Sequence, residues 1–317
     1  MKNFIKKPFH TFIIASFMFF LLFHAESAKQ FAFLGLNTWF SQIIPSLLPF
    51  MILSGLLIQM NLVTLFCKPF RIFLRPLFKI NDQCLYVLIT GFLCGFPMGA
   101  KNIAQLYQKG QLTKSEGEFL LAFTNNIGPV YFLSFVWNQA YSKTMHPYGF
   151  ALLFLTPFMY GLVLRYTLYR QKITFVNIDK HRNQLDETNS KKEVGFFDAL
   201  DTSITSSLIQ ISILGGYMIF FNLIVLLPGT LFANNPFQCF LHSLLEISGG
   251  LQAIKESSFQ ESQKFLLTHL ALSFNGLCCL FQTLHLIKDT DLSGKKYMLH
   301  KIFLCSITLL LIFVLHL

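Results

Sequence analysis

Apolar runs dominate the chain, and several of them are interrupted by small and polar residues. Unbroken apolar patterning predicts helices at about 9–25, 46–60, 147–167, 208–227 and 298–317. Between the first two, the amphipathic stretch 30–44 carries Trp39 and Phe40, which predicts a helix lying in the membrane interface, and Pro45 opens the next span. Four further segments begin as apolar runs and break inside. Segment 84–107 breaks at Gly95-Phe96-Pro97-Met98-Gly99-Ala100, and 119–137 at Asn125-Asn126-Ile127-Gly128-Pro129. Segment 237–255 breaks at Glu246-Ile247-Ser248-Gly249-Gly250, and 265–287 at Ser273-Phe274-Asn275-Gly276. Hydrocarbon tolerates broken backbone only where protein buries it or it lines a cavity, and transporters place such breaks at the substrate site.

The breaks recur in order. Each half reads as a plain span, a Gly-rich break and then a break containing Asn and Gly, with nearly the same separation from Gly99 to Asn125 as from Gly250 to Asn275. This pattern predicts an N-terminal helix in 1–29, a first repeat over 30–167, a linker at 168–195, a second repeat over 196–296 and a C-terminal helix in 297–317. The linker carries Arg170, Lys172, Lys180, Arg182, Lys191 and Lys192, as expected of a cytoplasmic loop. If every broken segment crossed fully, that loop would lie opposite the basic N-terminus. If 84–107 and 237–255 are instead re-entrant hairpins, the basic groups at 68–79 and 101–114, the linker and Lys288, Lys295, Lys296 and Lys301 all face the cytoplasm. Only a few lysines then lie outside, among them Lys29, Lys143, Lys255 and Lys264. The hairpins then enter from opposite sides, which is an inverted repeat.

Composition agrees with a polytopic all-α membrane protein: 53% of 317 residues are hydrophobic and 13% charged, about half the usual charged share. The net charge of +10 sits in short loops, so orientation explains it better than nucleic acid does. The seven cysteines show no C-x-x-C or zinc spacing, and most of the 38 phenylalanines read as lipid-facing or packing groups. The basic start at 1–7 and the apolar run after it resemble a signal peptide, with a weak cleavage pattern near Ala25-Glu26-Ser27-Ala28. An uncleaved first helix fits the membrane-embedded remainder better.

Glu246 is the sharpest candidate for chemistry, since a carboxylate inside an apolar run is costly; it suits a proton, a cation or a substrate hydroxyl. Asn125, Asn126 and Asn275 can serve a polar ligand or freed backbone groups, with Ser273 and Ser248 as weaker partners. Gly99, Ala100 and Lys101 open a half-helix whose free N–H groups favour an anion, although Lys101 can equally snorkel to the interface. Gly95, Pro97, Gly99, Gly249 and Gly250 mark the hairpin breaks. The histidines show no metal-ligand spacing, and no nucleophile-and-base set or phosphate loop is present, so no enzyme and no soluble cofactor is expected.

Pro45-Ser-Leu-Leu-Pro-Phe-Met-Ile-Leu-Ser, Arg75-Pro-Leu-Phe, Gly95-Phe-Pro-Met-Gly-Ala-Lys101, Gly110-Gln-Leu-Thr and Phe123-Thr-Asn-Asn-Ile-Gly-Pro129 resemble the sporulation integral membrane protein family of the YlbJ type. The resemblance continues through Leu245-Glu246-Ile-Ser-Gly249 and Asn275-Gly276-Leu277 and departs around 274–282, where the family's Gly-Gly-Leu-Ser-x-His-like pattern is absent. It implies a nucleoside-recognition "gate" architecture similar to concentrative nucleoside transporters, with two hairpins and two interrupted helices. It implies movement of dipicolinate across the outer forespore membrane, and substrate contacts from Glu246, Asn125 or Asn126, Asn275 and Ser273. Within that frame Phe96 or Phe274 would stack on the dipicolinate ring. The expected function is transport of a small organic anion, dipicolinate, coupled to H⁺ or Na⁺. The alternatives are a nucleoside-type transporter and a non-transporting scaffold of the spore envelope. The bilayer and the anion are the expected partners, together with a homo-oligomer.

Overall fold

The computed structural model describes residues 2–140, 147–173, 195–231 and 236–315. Every regular element among them is helical. After α1 (Lys2–Phe23), α2 (Ala25–Thr38) runs through a π-helical turn, Trp39–Ile43, into α3 (Ile44–Gln59). The three form one apolar helix of 35 residues, about 50 Å long and well beyond a bilayer core of about 30 Å. The expected separate interfacial helix at 30–44 is therefore not seen. A proline inside a helix clashes with the carbonyl four residues back. The wider turn, closed by Ile44 N–H to the Trp39 carbonyl, opens the ladder ahead of Pro45 so that the helix continues. Trp39 packs instead of anchoring: its Nε1 donates to the Ile211 carbonyl at 2.8 Å, and a Cβ at Gly215 would come within 2.5 Å of its ring.

Short helices α4 (Val63–Cys67) and α5 (Arg71–Phe78) precede α6 (Asp82–Cys94), which bends by 105° from α5. Arg165 holds this corner. Its buried guanidinium donates to the carbonyls of Phe78, Lys79, Tyr169, Arg170 and Ile173, closing the end of α5 against the turn after α10 (Pro147–Tyr166). Of the expected linker, 168–173 forms this turn, 195 leads into the next helix, and 174–194 lies outside the described residues.

The first broken segment consists of α6 and α7 (Met98–Gln108), which pack on one another around Gly95-Phe96-Pro97. Ser54 ties both arms to α3, bonding Tyr86 Oη at 2.7 Å and donating to Asn102 Oδ1 at 2.8 Å. The second consists of α8 (Lys114–Leu121), an irregular stretch 122–128, and α9 (Pro129–Tyr131), which continues as a π-helix over Phe132–Ala140. Helix α11 (Phe196–Leu231) is longer than its predicted 208–227 core because its polar start also packs, with Ser203 against Gly55. It lies along both α2 and α3.

The order of elements then repeats. Helices α12 (Pro236–Leu245) and α13 (Ile247–Glu256) pack as a pair around Glu246. Helices α14 (Glu261–Phe274) and α15 (Gly276–Leu286) are split at Asn275, and α16 (Gly294–Val314) closes the chain against α14 and α10. Three predicted break residues shift. Gly249 and Gly250 lie in the first turn of α13, where Gly250 lets the backbone approach Ser243 on α12. Gly99 lies in the first turn of α7, with space for a Cβ only 2.8 Å from the Thr124 carbonyl oxygen. Polar ties at one end join the halves: Lys296 to Glu118 at 2.6 Å, and Asp291 to both Lys114 and Tyr107.

Candidate functional site

All four breaks meet at one cavity. Its wall takes Phe96 and Pro97 from between α6 and α7, Ile127 and Gly128 from before α9, Glu246 to Ser248 from between α12 and α13, and Asn275 from between α14 and α15. The π-turn side of α3 (Ile43, Ser46, Leu47), Leu214 and Met218 of α11, and Gln282 of α15 complete it. It encloses about 640 Å³ including its open mouth, but the centre of a water-sized sphere can occupy only about 60 Å³, room for a few waters.

Local chemistry explains each break. Gly95 has φ +75°, a left-handed conformation that other residues rarely adopt, and any Cβ there would strike the Gly128 backbone. The two first-half breaks thus touch through glycine, and Phe96 N–H donates to the Asn126 carbonyl at 2.5 Å. Asn275, also left-handed at φ +70°, ends α14, and its Nδ2 donates to the Asn125 carbonyl at 3.1 Å, joining the two interrupted helices directly. Its Oδ1 is buried in the cavity wall without a partner. Glu246 caps α13, with Oε1 accepting from Ser248 N at 3.0 Å and Oε2 from Gly249 N at 2.7 Å.

These positions share one property. Pro97, Gly128, Glu246 and Asn275 are the N-cap residues of the helices that follow the four breaks, and only Glu246 supplies a side-chain cap. The cavity is therefore ringed by helix N-termini, which carry partial positive charge.

The predicted residues divide. Glu246 and Asn275 line the cavity. Asn125 lies one layer behind it, its Nδ2 donating to Thr283 Oγ1 at 2.8 Å and Tyr297 Oη at 3.0 Å while its Oδ1 accepts from Ala100 N at 3.4 Å. Asn126 is committed to Phe123 and Lys301. Ser273 faces α16, donating to the His269 carbonyl at 2.6 Å and to Cys305 Sγ at 3.4 Å. Lys101 neither snorkels nor reaches the cavity: 2% exposed, it donates to the Met51 carbonyl at 2.7 Å and to Ser207 Oγ at 3.4 Å. Lys301, placed by its charge at the cytoplasmic face, is 1% exposed.

Comparison with known proteins bears on what this arrangement is. The chain is 27% identical over 324 aligned positions to the sporulation integral membrane protein YlbJ of Bacillus subtilis (strain 168), covering 92% of this chain and 79% of that protein. The similarity runs along most of this chain. No family model and no solved structure matches it. The chain is an integral membrane protein: among the described residues four helices are long and apolar enough to cross a bilayer, and a fifth span results if α5 and α6 are taken together.

Sequence reasoning missed three residues of this cavity. Ser46 follows a proline in an apolar run. Tyr131, two residues beyond the Pro129 break, bonds Ser248 Oγ at 3.0 Å across the two halves. Gln282 is an isolated amide in α15 whose Nε2 donates to the Leu214 carbonyl at 3.1 Å. An uncharged amide inside an apolar run was the available signal.

Proposed function

We propose that this protein is a secondary transporter of a small organic anion, dipicolinate, across the outer forespore membrane, working by movement of the two hairpins around the central cavity. The convergence of four helix N-termini on one cavity carries this reading. Asn125 Oδ1 already accepts Ala100 N at the start of α7, so the partial positive charge at the starts of α9 and α15, whose N-cap residues supply no side-chain cap, is what would draw a carboxylate of this rigid anion. Phe96 lies in the wall to stack on its ring; Phe274, the other expected candidate, does not line the cavity. The cavity is too small for such a molecule without rearrangement, which fits hairpins that open and close. On the loop-charge reading the two hairpins would enter from opposite sides of the membrane, as alternating access requires. On this reading the protein binds and moves its cargo without chemical change.

One observation favours a second reading. Among the described residues Glu246 is the one charged side chain in the wall, with Asn275 and Gln282 as neutral amides beside it. That set suits an uncharged polar solute such as a nucleoside. Uptake of labelled dipicolinate into liposomes carrying the purified protein, with and without excess uridine, separates the two. Saturable uptake that uridine leaves unchanged supports the anion; uridine uptake that dipicolinate does not inhibit supports the nucleoside.

A further inference from the structure

The last helix carries a buried cation that the cavity does not use. Lys301 is 1% exposed, makes no ion pair among the described residues, and donates through Nζ to Asn126 Oδ1 at 2.8 Å. Asn126 lies in the irregular stretch of the first interrupted helix, and its own carbonyl accepts from Phe96 N–H at the tip of the first hairpin. Two hydrogen bonds therefore connect the Lys301 ammonium to a residue of the cavity wall.

The titratable groups on the elements packed against α16 are engaged elsewhere. On α8, Glu118 pairs with Lys296, Glu116 bonds Asn81 and Thr113, and Lys114 pairs with Asp291. On α10, Tyr160 bonds His300, Tyr166 donates to the Leu77 carbonyl and Arg165 is spent on carbonyls. On α14, His269 faces the Phe265 and Gly149 carbonyls and Glu261 pairs with Lys264. On α16 itself, Tyr297 bonds Asn125 and Thr283, and the Cys305 thiol accepts from Ser273. Lys101, the other buried lysine, has two acceptors, and neither belongs to a break.

An ionisable group inside a membrane protein is costly and persists where it moves or balances charge. We infer that Lys301 is the proton-binding site of this protein, and that its proton couples the first hairpin to transport through Asn126 and Phe96. This rests on the transport reading above. With the proton bound, Nζ is an ammonium that holds Asn126 Oδ1. When the proton leaves to water, the amine stays behind uncharged and its hold on the break weakens. Glu246 is less suited to this role because both its oxygens already serve as a helix cap.

The test has two arms on the full-length protein. In the first, ¹⁵N-lysine-labelled protein in detergent is titrated by NMR, with Lys301→Met and Lys301→Arg to assign the side-chain signal. A Lys301 signal that passes between two states over the pH range in which the protein stays folded is expected; a signal that stays in one state overturns the proposal whatever the protein transports. The second arm uses liposomes and labelled dipicolinate. Lys301→Met should keep exchange across the membrane within about twofold of wild type while losing accumulation driven by a pH gradient, and Lys301→Arg should accumulate without the wild-type pH dependence. Equal loss of exchange and accumulation in Lys301→Met, or intact gradient-driven accumulation, overturns the coupling role. If wild-type protein moves no dipicolinate, the transport reading fails and the NMR arm alone decides whether Lys301 binds a proton.

Discussion

Replacing Glu246 separates its two roles. The carboxylate accepts two buried backbone N–H groups at the start of α13, at 3.0 and 2.7 Å, and also lines the cavity. Glu246→Ala removes both acceptors. Loss of a helix N-cap costs about 0.5–2 kcal/mol, and each buried donor left without a partner about 1–3 kcal/mol. Cavity water can reach these donors in part, so the expected total is about 2–4 kcal/mol, a fall in Tm on the order of 5–10 °C. Glu246→Gln keeps one carbonyl oxygen in place and should lose only about 1 kcal/mol. A carboxylate in the wall repels a dianion unless a co-transported cation sits with it; without that cation site Glu246→Gln should transport dipicolinate roughly tenfold less well, the equivalent of about 1.4 kcal/mol. Thermal unfolding in detergent and initial uptake rates in liposomes read the two effects separately. An alanine variant as stable as wild type refutes the capping argument. A glutamine variant with full uptake refutes the cavity role.

Other consequences follow from the same contacts. Gly128→Ala places a Cβ against the Cys94 carbonyl, and should destabilise the protein by about 1–3 kcal/mol in thermal unfolding, because backbone cannot yield as a side chain does. Arg165→Met leaves the carbonyls it serves without donors; faster proteolysis at 167–173, with a lower Tm, is the expected result. Trp39→Phe removes one hydrogen bond between the long helices and should cost about 1 kcal/mol. Hydrogen bonds from Lys114 and Tyr107 hold the Asp291 carboxyl below its ordinary range. A carboxylate depressed in the folded state stabilises above its unfolded pKa, and that contribution fades as pH falls through the folded value. Wild type should therefore exceed Asp291→Asn in Tm at neutral pH, with the gap closing below about pH 4.

The breaks were legible because their chemistry is local. Gly95, Pro97 and Gly128 disrupt a helix wherever they sit, and Asn275 tolerates the left-handed conformation it adopts. Glu246 was legible for a different reason, since few roles repay a carboxylate in an apolar run. What local pattern does not carry is distance. Pro45 reads as a helix start, yet a π-turn carries the helix through it, and that turn matters because Trp39 meets Gly215 and Ile211 some 170 residues away. Lys101 reads as an anion ligand or an interfacial anchor; the Met51 carbonyl that takes its ammonium belongs to a helix 50 residues earlier. Asn125 and Asn126 look equivalent in sequence, but one supports Asn275 from behind the cavity and the other receives Lys301.

Labelled dipicolinate uptake by liposomes carrying wild type, Glu246→Gln, Asn275→Ala and Ser273→Ala tests the central claim most directly. The cavity between the four breaks should be the path, so uptake should be saturable in wild type, fall with Glu246→Gln and Asn275→Ala, and persist with Ser273→Ala, whose hydroxyl faces α16. Uptake that ignores both cavity substitutions, or folded wild-type protein that moves no dipicolinate, would contradict the account.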